Sequence, residues 1–226
     1  MSIKLVVFDM AGTAVSDENY VGAAFTKAMQ KYGYAPKIEE VNPIMGYEKP
    51  IAIKMMLEKL EPTTAKITNE LITAIHEEFV KIMLDFYRNS KDIYPLPNVE
   101  DTFKKLKAQG IKIGLDTGFS KDIADLILDR LDWHDQIDCM VASDEVSKGR
   151  PYPYMIQKMM SELQITDSKQ VAKVGDTEVD INEGHNAGCK YVIGITTGSF
   201  TRQELEPYKP THIIDDISEI FEIINA

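Results

Sequence analysis

Six short apolar runs punctuate the chain, with polar segments between them. They are IKLVVF at 3–8, IKIGL at 111–115, CMVAS at 139–143, VAKVG at 171–175, YVIGI at 191–195 and THIID at 211–215. The first is rich in β-branched residues and reads as a strand buried on both faces. Helix-period segments separate the later runs: 99–110 before the second, 120–132 after it and 178–188 after the fourth. Strands alternating with helices predict an α/β fold built on a doubly wound parallel sheet.

One stretch breaks the alternation. Between Asp17 and about Ser90 no strand pattern occurs. Helical patterns lie near 18–33, 49–60 and 68–89, separated by YGYAP at 32–36, VNPIMG at 41–46 and EPTT at 61–64. An all-helical stretch between the first strand and the rest of a sheet predicts an inserted cap over residues 17–90, with 1–16 and 91–226 as the α/β core. Met55, Met56, Ile72, Ile75, Phe79 and Ile82 are expected to pack as the interior of that cap. DIYPLPN at 92–98 returns the chain to the core.

Ligands of open α/β sheets bind beyond the carboxyl ends of the strands, so the residues there carry the chemistry. The first run ends in Asp9, with Gly12 in the turn that follows. The second ends in Asp116, Thr117 and Gly118. The third is followed by Lys148, Gly149, Arg150 and Pro151. The fourth ends in Gly175 and Asp176, with Asp180 four residues on. Singly, a strand-end Asp or Thr is often only a helix cap. Together, four such ends supply the parts of a phosphoryl-transfer site: hard oxygens for a cation, a nucleophilic carboxylate, and donors for the phosphoryl oxygens.

Composition narrows the partners. Hydrophobic residues make up 44% and charged residues 27%, an ordinary globular balance. The net charge of −11 disfavours nucleic acid and acidic membrane surfaces as partners. An anionic substrate therefore needs a local positive site. Cys139 and Cys189 have no metal-ligand spacing and read as reduced core cysteines. No basic leader and no apolar run near the roughly 20 residues of a membrane span are visible, so a soluble, cytoplasmic protein is expected. His185 reads as a packing or surface residue, and Trp133 as a packing residue at the edge of the core.

VVFDMAGT, LDTGFS, GRPYP and VGDTEVD resemble, in order, the four motifs of the haloacid dehalogenase superfamily. The resemblance spans nearly the whole chain and implies a Rossmann-like core with a helical cap. It implies Asp9 as the nucleophile that forms an aspartyl-phosphate. It implies Mg²⁺ held by Asp9, the main-chain carbonyl of Ala11 and Asp176, with Asp180 acting through water or behind the ligands. Thr117 and the Gly118 amide would bind phosphoryl oxygens. Gly12, Thr13, Met45 and Phe119 complete the implied substrate-binding set, and the resemblance also implies a homodimer formed through the cap.

Two departures bear on the substrate class. Phosphatases of the superfamily place a general acid two residues after the nucleophile, where this chain has Ala11. General acid–base help is worth roughly 10²–10⁴-fold, so a leaving group that needs no proton on oxygen is favoured. In the third motif Arg150 stands where a Lys is usual, and its planar fork suits a phosphonyl group. Lys148 is the alternative cation, and the register of RPYP favours Arg150. Both departures resemble the phosphonatase-like branch, whose members cleave a carbon–phosphorus bond through an imine on a cap lysine.

Met45-Gly46-Tyr47-Glu48-Lys49 resembles that branch's lysine element. Lys49 is followed by Pro50 and so lies at a helix N-terminus, where the dipole and burial both favour a neutral amine. The expected activity is cleavage of a 2-oxoalkylphosphonate such as phosphonoacetaldehyde, with Asp9, Lys49, Thr117 and Arg150 as catalytic residues. The alternative is a phosphatase acting on a small ester such as phosphoglycolate or a sugar phosphate. Ala52, Phe119 and Asp116 depart from the branch, which points to a relative with its own substrate.

Overall fold

The computed structural model describes residues 2–225. All six apolar runs form strands: β1 (Leu5–Asp9), β2 (Lys112–Thr117), β3 (Cys139–Ala142), β4 (Val171–Gly175), β5 (Tyr191–Ile195) and β6 (His212–Ile214). They make one parallel sheet in the order β3-β2-β1-β4-β5-β6. The chain builds outward from β1 to β3 and then crosses to the other side of β1 for β4. That reversal opens a crevice at the carboxyl ends of β1 and β4. The fold is the doubly wound α/β class that the alternation predicts.

The helices are α1 (Tyr20–Lys31), α2 (Ile38–Val41), α3 (Lys49–Leu60), α4 (Asn69–Asn89), α5 (Val99–Ala108), α6 (Lys121–Leu131), α7 (Tyr154–Glu162), α8 (Glu178–Ala187), α9 (Arg202–Leu205) and α10 (Ile220–Ile224). The sequence pattern places α1, α3, α4, α5, α6 and α8, and it misses α7 and the short α2, α9 and α10. Helix α7 follows the loop of the third motif and packs on β3. No helix among the described residues is long and apolar enough to cross a membrane.

Helices α1 to α4 all fall between β1 and β2; α1 and α3 pack on α4, and the short α2 packs on α1. Ile75 and Phe79 of α4 are buried together with Met83, one helical face at period 3.6. Met56 is buried, but Met55 is 37% exposed, contrary to the expectation that both fill the interior. The two are adjacent, so one helix cannot turn both inward. Ile72 and Ile82 are only half-buried at the border of the same face.

Two connections join this helical layer to the sheet. Residues 14–16 leave it and 94–96 return beside it: Ser16 donates its N–H to Tyr94 O at 3.0 Å, and Leu96 donates to Ala14 O at 3.0 Å. Arg130 of α6 donates to the carbonyls of Tyr87, Arg88 and Ser90 at the end of α4. A cation there satisfies carbonyls that have no partner inside the helix. Trp133 is wholly buried, edge-on to Phe103, and donates to Glu100; it belongs to the core interior rather than its edge. His185 is exposed, as expected of a surface residue. Cys139 and Cys189 are free and buried.

Candidate active site

The register of the sheet assembles the site. Asp9 ends β1 directly opposite Asp116 of β2, and Asp176 follows the last residue of β4. The loop before α7 brings Arg150 across the strand ends. Its Nη1 donates to Asp9 Oδ1 and to Asp180 Oδ1, and lies 3.6 Å from Asp116 Oδ1. Arg150 is buried in this position. Lys148, the alternative cation, is exposed, with its Nζ 4.6 Å from the Tyr152 ring centroid.

Beneath Arg150 lies a lysine that the sequence reading passed over. Lys173, in the middle of β4, is completely buried. Its Nζ is 2.5 Å from Asp116 Oδ1, 3.1 Å from Asp180 Oδ1 and 3.4 Å from Glu183 Oε2. The signal was present, since a lysine inside the apolar run VAKVG has to find a buried counter-charge. Glu183 lies three residues after Asp180, on the same face of α8. Burial and the neighbouring Asp116 push the Glu183 carboxyl well above the usual carboxylate range.

Asp9 and Asp176, together with Ala11, Asp17, Lys49 and Arg150, line one small cavity of about 30 Å³, room for one or two waters. Burial pushes Asp9 up to about 6 against the opposing pull of Arg150, with Asp180 raising it further. Asp176 is pushed well above the carboxylate range by burial and by Asp9 and Asp180. It accepts from Thr13 Oγ1 at 3.3 Å and from Ser199 N at 2.6 Å. Thr13 is thus placed behind Asp176.

Gly12 has φ of 86° and donates its N–H to Val15 O. A Cβ on it would lie 2.9 Å from Asp176 Oδ2, so this turn tolerates no side chain. Thr117 lines the cavity and accepts from Phe119 N at 3.1 Å. Gly118 and Met45 also line it, and Phe119 closes the side toward α4 through an edge contact with Tyr87.

The set expected to hold Mg²⁺ was Asp9, Ala11, Asp176 and Asp180. The carboxylates of Asp9, Asp116 and Asp180 lie within 4.8 Å of one another, but Arg150 and Lys173 already bind that cluster. Both oxygens of Asp180 are engaged, Oδ1 by those cations and Oδ2 by the Thr177 N–H and hydroxyl. Asp176 has no cation within 4 Å among the described ion pairs. Five buried carboxyl groups, Asp9, Asp116, Asp176, Asp180 and Glu183, crowd around only two cations, Arg150 and Lys173, and both Asp176 and Glu183 are pushed up there. A hard divalent cation at Asp9, Asp176 and the Ala11 carbonyl fits this surplus of buried oxygen charge.

Lys49 enters from the helical layer. It is the first residue of α3 and is buried, 2% exposed. Its Nζ donates to Met45 O at 2.6 Å and to Tyr47 O at 3.1 Å, and lies 5.4 Å from the Phe119 ring centroid. Burial, then the Arg150 charge, lowers it from the ordinary lysine value to about 7, against Asp9 and Asp17. The loop that carries it is fastened to the core. Tyr47 donates to Glu178 at 2.7 Å, and Glu48 accepts from Gly149 N at 3.1 Å. A Cβ on Gly46 would lie 2.6 Å from Val179, so a glycine there permits the close approach.

Taken together, a strand-end carboxylate, a second-strand hydroxyl, a buried guanidinium and an acidic pair after β4 are the parts of a hydrolase site. The haloacid dehalogenase-like hydrolase family model matches residues 6–194, and the chain belongs to that family. The phosphonoacetaldehyde hydrolase of Bacillus mycoides is 30% identical over 236 residues, which cover 97% of this chain and 87% of the relative. Among solved structures, the phosphonoacetaldehyde hydrolase-like protein of Oleispira antarctica superposes with a TM-score of 0.82 at 22% identity, over 100% of this chain and 92% of that one. A predicted phosphoglycolate phosphatase of Haemophilus somnus superposes with a TM-score of 0.82 at 23% identity, over 98% and 97%. At such identities the two structures establish a shared fold.

Proposed function

We propose that this hydrolase cleaves the carbon–phosphorus bond of a 2-oxoalkylphosphonate such as phosphonoacetaldehyde, with Asp9 as nucleophile, Lys49 as imine-forming amine and Mg²⁺ as cofactor. The observation that carries the reading is the pairing in one cavity of Ala11, which cannot act as a general acid, with a buried Lys49 lowered to about 7. A lysine near neutrality is a competent amine nucleophile. Similarity to the Bacillus mycoides phosphonoacetaldehyde hydrolase over most of both chains supports the same substrate class.

In this reading the neutral Lys49 Nζ adds to the substrate carbonyl, and loss of water leaves a protonated imine. An Asp9 oxygen then forms a bond to phosphorus as the carbon–phosphorus bond breaks. The electron pair passes into the imine, giving an enamine that needs no proton on oxygen to depart. Water hydrolyses the aspartyl-phosphate. The enamine takes a proton on carbon, and water releases the carbonyl product from Lys49. Arg150 and the Thr117 hydroxyl hold the phosphonyl oxygens. Asp9, Asp176 and the Ala11 carbonyl would hold Mg²⁺, which would supply charge neutralisation at the phosphorus centre.

In this reading the helical layer, fastened over the cavity by the Tyr47 and Glu48 contacts, acts as a cap that opens for entry and closes on the substrate. Borohydride reduction in the presence of phosphonoacetaldehyde tests the reading. A substrate-dependent mass adduct on Lys49 is expected. Turnover of simple phosphate esters with no adduct formed from phosphonoacetaldehyde would overturn it and return the phosphate-ester reading.

A further inference from the structure

Imine chemistry moves protons at nitrogen and at the carbonyl oxygen, and the carboxylates described so far are committed elsewhere. Asp9 is the nucleophile and is bound by Arg150. Asp116 and Asp180 are held by cations behind it. Asp176 faces Thr13 and Ser199. One other carboxyl group lines the cavity with Lys49, that of Asp17. It lies just before α1, where its Oδ1 accepts from the backbone N–H of Tyr20 at 2.7 Å and of Val21 at 3.2 Å. The described ion pairs include none to Asp17. Its second oxygen takes part in no described hydrogen bond.

The hydrogen bonds at the start of α1 fix the carboxyl in place on the same cavity as Lys49, whose charge it feels. Resting on the imine reading, we propose that Asp17 is the proton-transfer residue for Lys49, acting as acid when the carbinolamine loses water and as base when water re-enters the imine. In the first step the protonated carboxyl gives its proton to the departing hydroxyl, which leaves as water, and Asp17 becomes a carboxylate. In the last step Asp17 takes a proton from the attacking water and is restored. The proton consumed at the enamine carbon is balanced by the one released when the aspartyl-phosphate is hydrolysed.

Burial raises the Asp17 carboxyl against its two backbone hydrogen bonds and the pull of Lys49. Charged and titratable groups face it from three elements: Lys49 of α3, Tyr87 of α4 and Tyr20 of its own α1.

The test separates imine formation from phosphoryl transfer. Asp17→Asn keeps an oxygen for the Tyr20 and Val21 N–H groups, so the start of α1 is preserved, and an unchanged thermal melt checks it. Two readouts are taken on wild type and variant. One is the rate of borohydride-trapped adduct formation with phosphonoacetaldehyde. The other is phosphorylation of Asp9 by acetyl phosphate, whose leaving group needs neither imine nor acid. The expected result is adduct formation slowed about 10²-fold or more, with Asp9 phosphorylation within about twofold of wild type. A variant that forms the adduct at the wild-type rate overturns the role of Asp17 and leaves the imine reading standing. Equal loss of both activities also overturns it, because Asp17 would then only support the cavity. Absence of an adduct in wild type overturns the imine reading and this inference together.

Discussion

The two walls of the cavity handle buried charge in opposite ways. On the sheet side Asp9, Asp116 and Asp180 are tied to Arg150 and Lys173 at ion-pair distances. Both cations there are held by several carboxylates at once, while Asp176 beside them has no cation within 4 Å among the described ion pairs. On the helical side Lys49 has no counter-ion within 4 Å among the described ion pairs, only two carbonyls and aromatic faces. The first arrangement keeps charge fixed, as a phosphoryl site requires. The second lets a lysine give up its proton, as an amine nucleophile requires. Similar burial thus produces an ionised network on one side and a readily neutralised amine on the other, because the neighbours differ.

The contrast can be broken at its strongest points first. Asp9→Asn removes the group that accepts phosphorus, and turnover should fall by roughly 10⁶-fold, the scale of other nucleophile deletions. Single-turnover phosphate release from protein free of deamidation measures it, and appreciable cleavage would reassign the nucleophile. Lys49→Arg keeps the positive charge but cannot form an imine, because guanidinium stays protonated. Phosphonoacetaldehyde cleavage should drop by roughly 10⁴-fold. A variant near the wild-type rate would mean that Lys49 serves only as a charge.

Two further tests address the sheet side. Stripping divalent cations should lower activity by roughly 10²-fold or more, since charge neutralisation by a metal is worth several kcal/mol, and added Mg²⁺ should restore it. Asp176→Ala should lose that rescue, and full activity under exhaustive chelation would exclude the proposed cation. Lys173→Met removes the cation beside Glu183 and one of the two that hold Asp116 and Asp180 in a buried site, at a cost of about 3–5 kcal/mol. Urea unfolding would show it as a shifted midpoint at constant slope; an unmoved midpoint would mean that Arg150 alone balances the cluster.

The smallest effect is the pH dependence of the helical side. Lys49 is depressed to about 7, so its amine is mostly neutral above that pH and mostly protonated below it. The rate of borohydride trapping should rise about tenfold per pH unit up to about 7 and then level off. A rise that continues toward the ordinary lysine range would show that the cavity does not tune the amine.

The sequence alone determined the sheet and much of what stands at its edge. Apolar runs of five or six residues between helical segments leave few alternatives to a parallel α/β sheet, and each run's last polar residue falls at a carboxyl end. Asp9, Thr117 and Asp176 were therefore legible from position, and Arg150 from the register of RPYP. Lys49 was legible from the Met-Gly-x-x-Lys element and the proline behind it. Helix α7 and the burial of Met55 were not, because short elements and helix phase depend on what packs against them.

Only the tertiary structure decided how the charges pair. Parallel register sets Asp9 beside Asp116 from residues 107 positions apart, and no local pattern encodes that neighbour. Lys173 and Glu183 acquire their partners only when β4 and α8 are packed beneath the loop of Arg150. Asp17 joins Lys49 only once the helical layer is folded over β1. Residue type and local order specify which ionisable groups exist. Their desolvation and their distances to opposite charge, which fix what each can do, are properties of the assembled crevice.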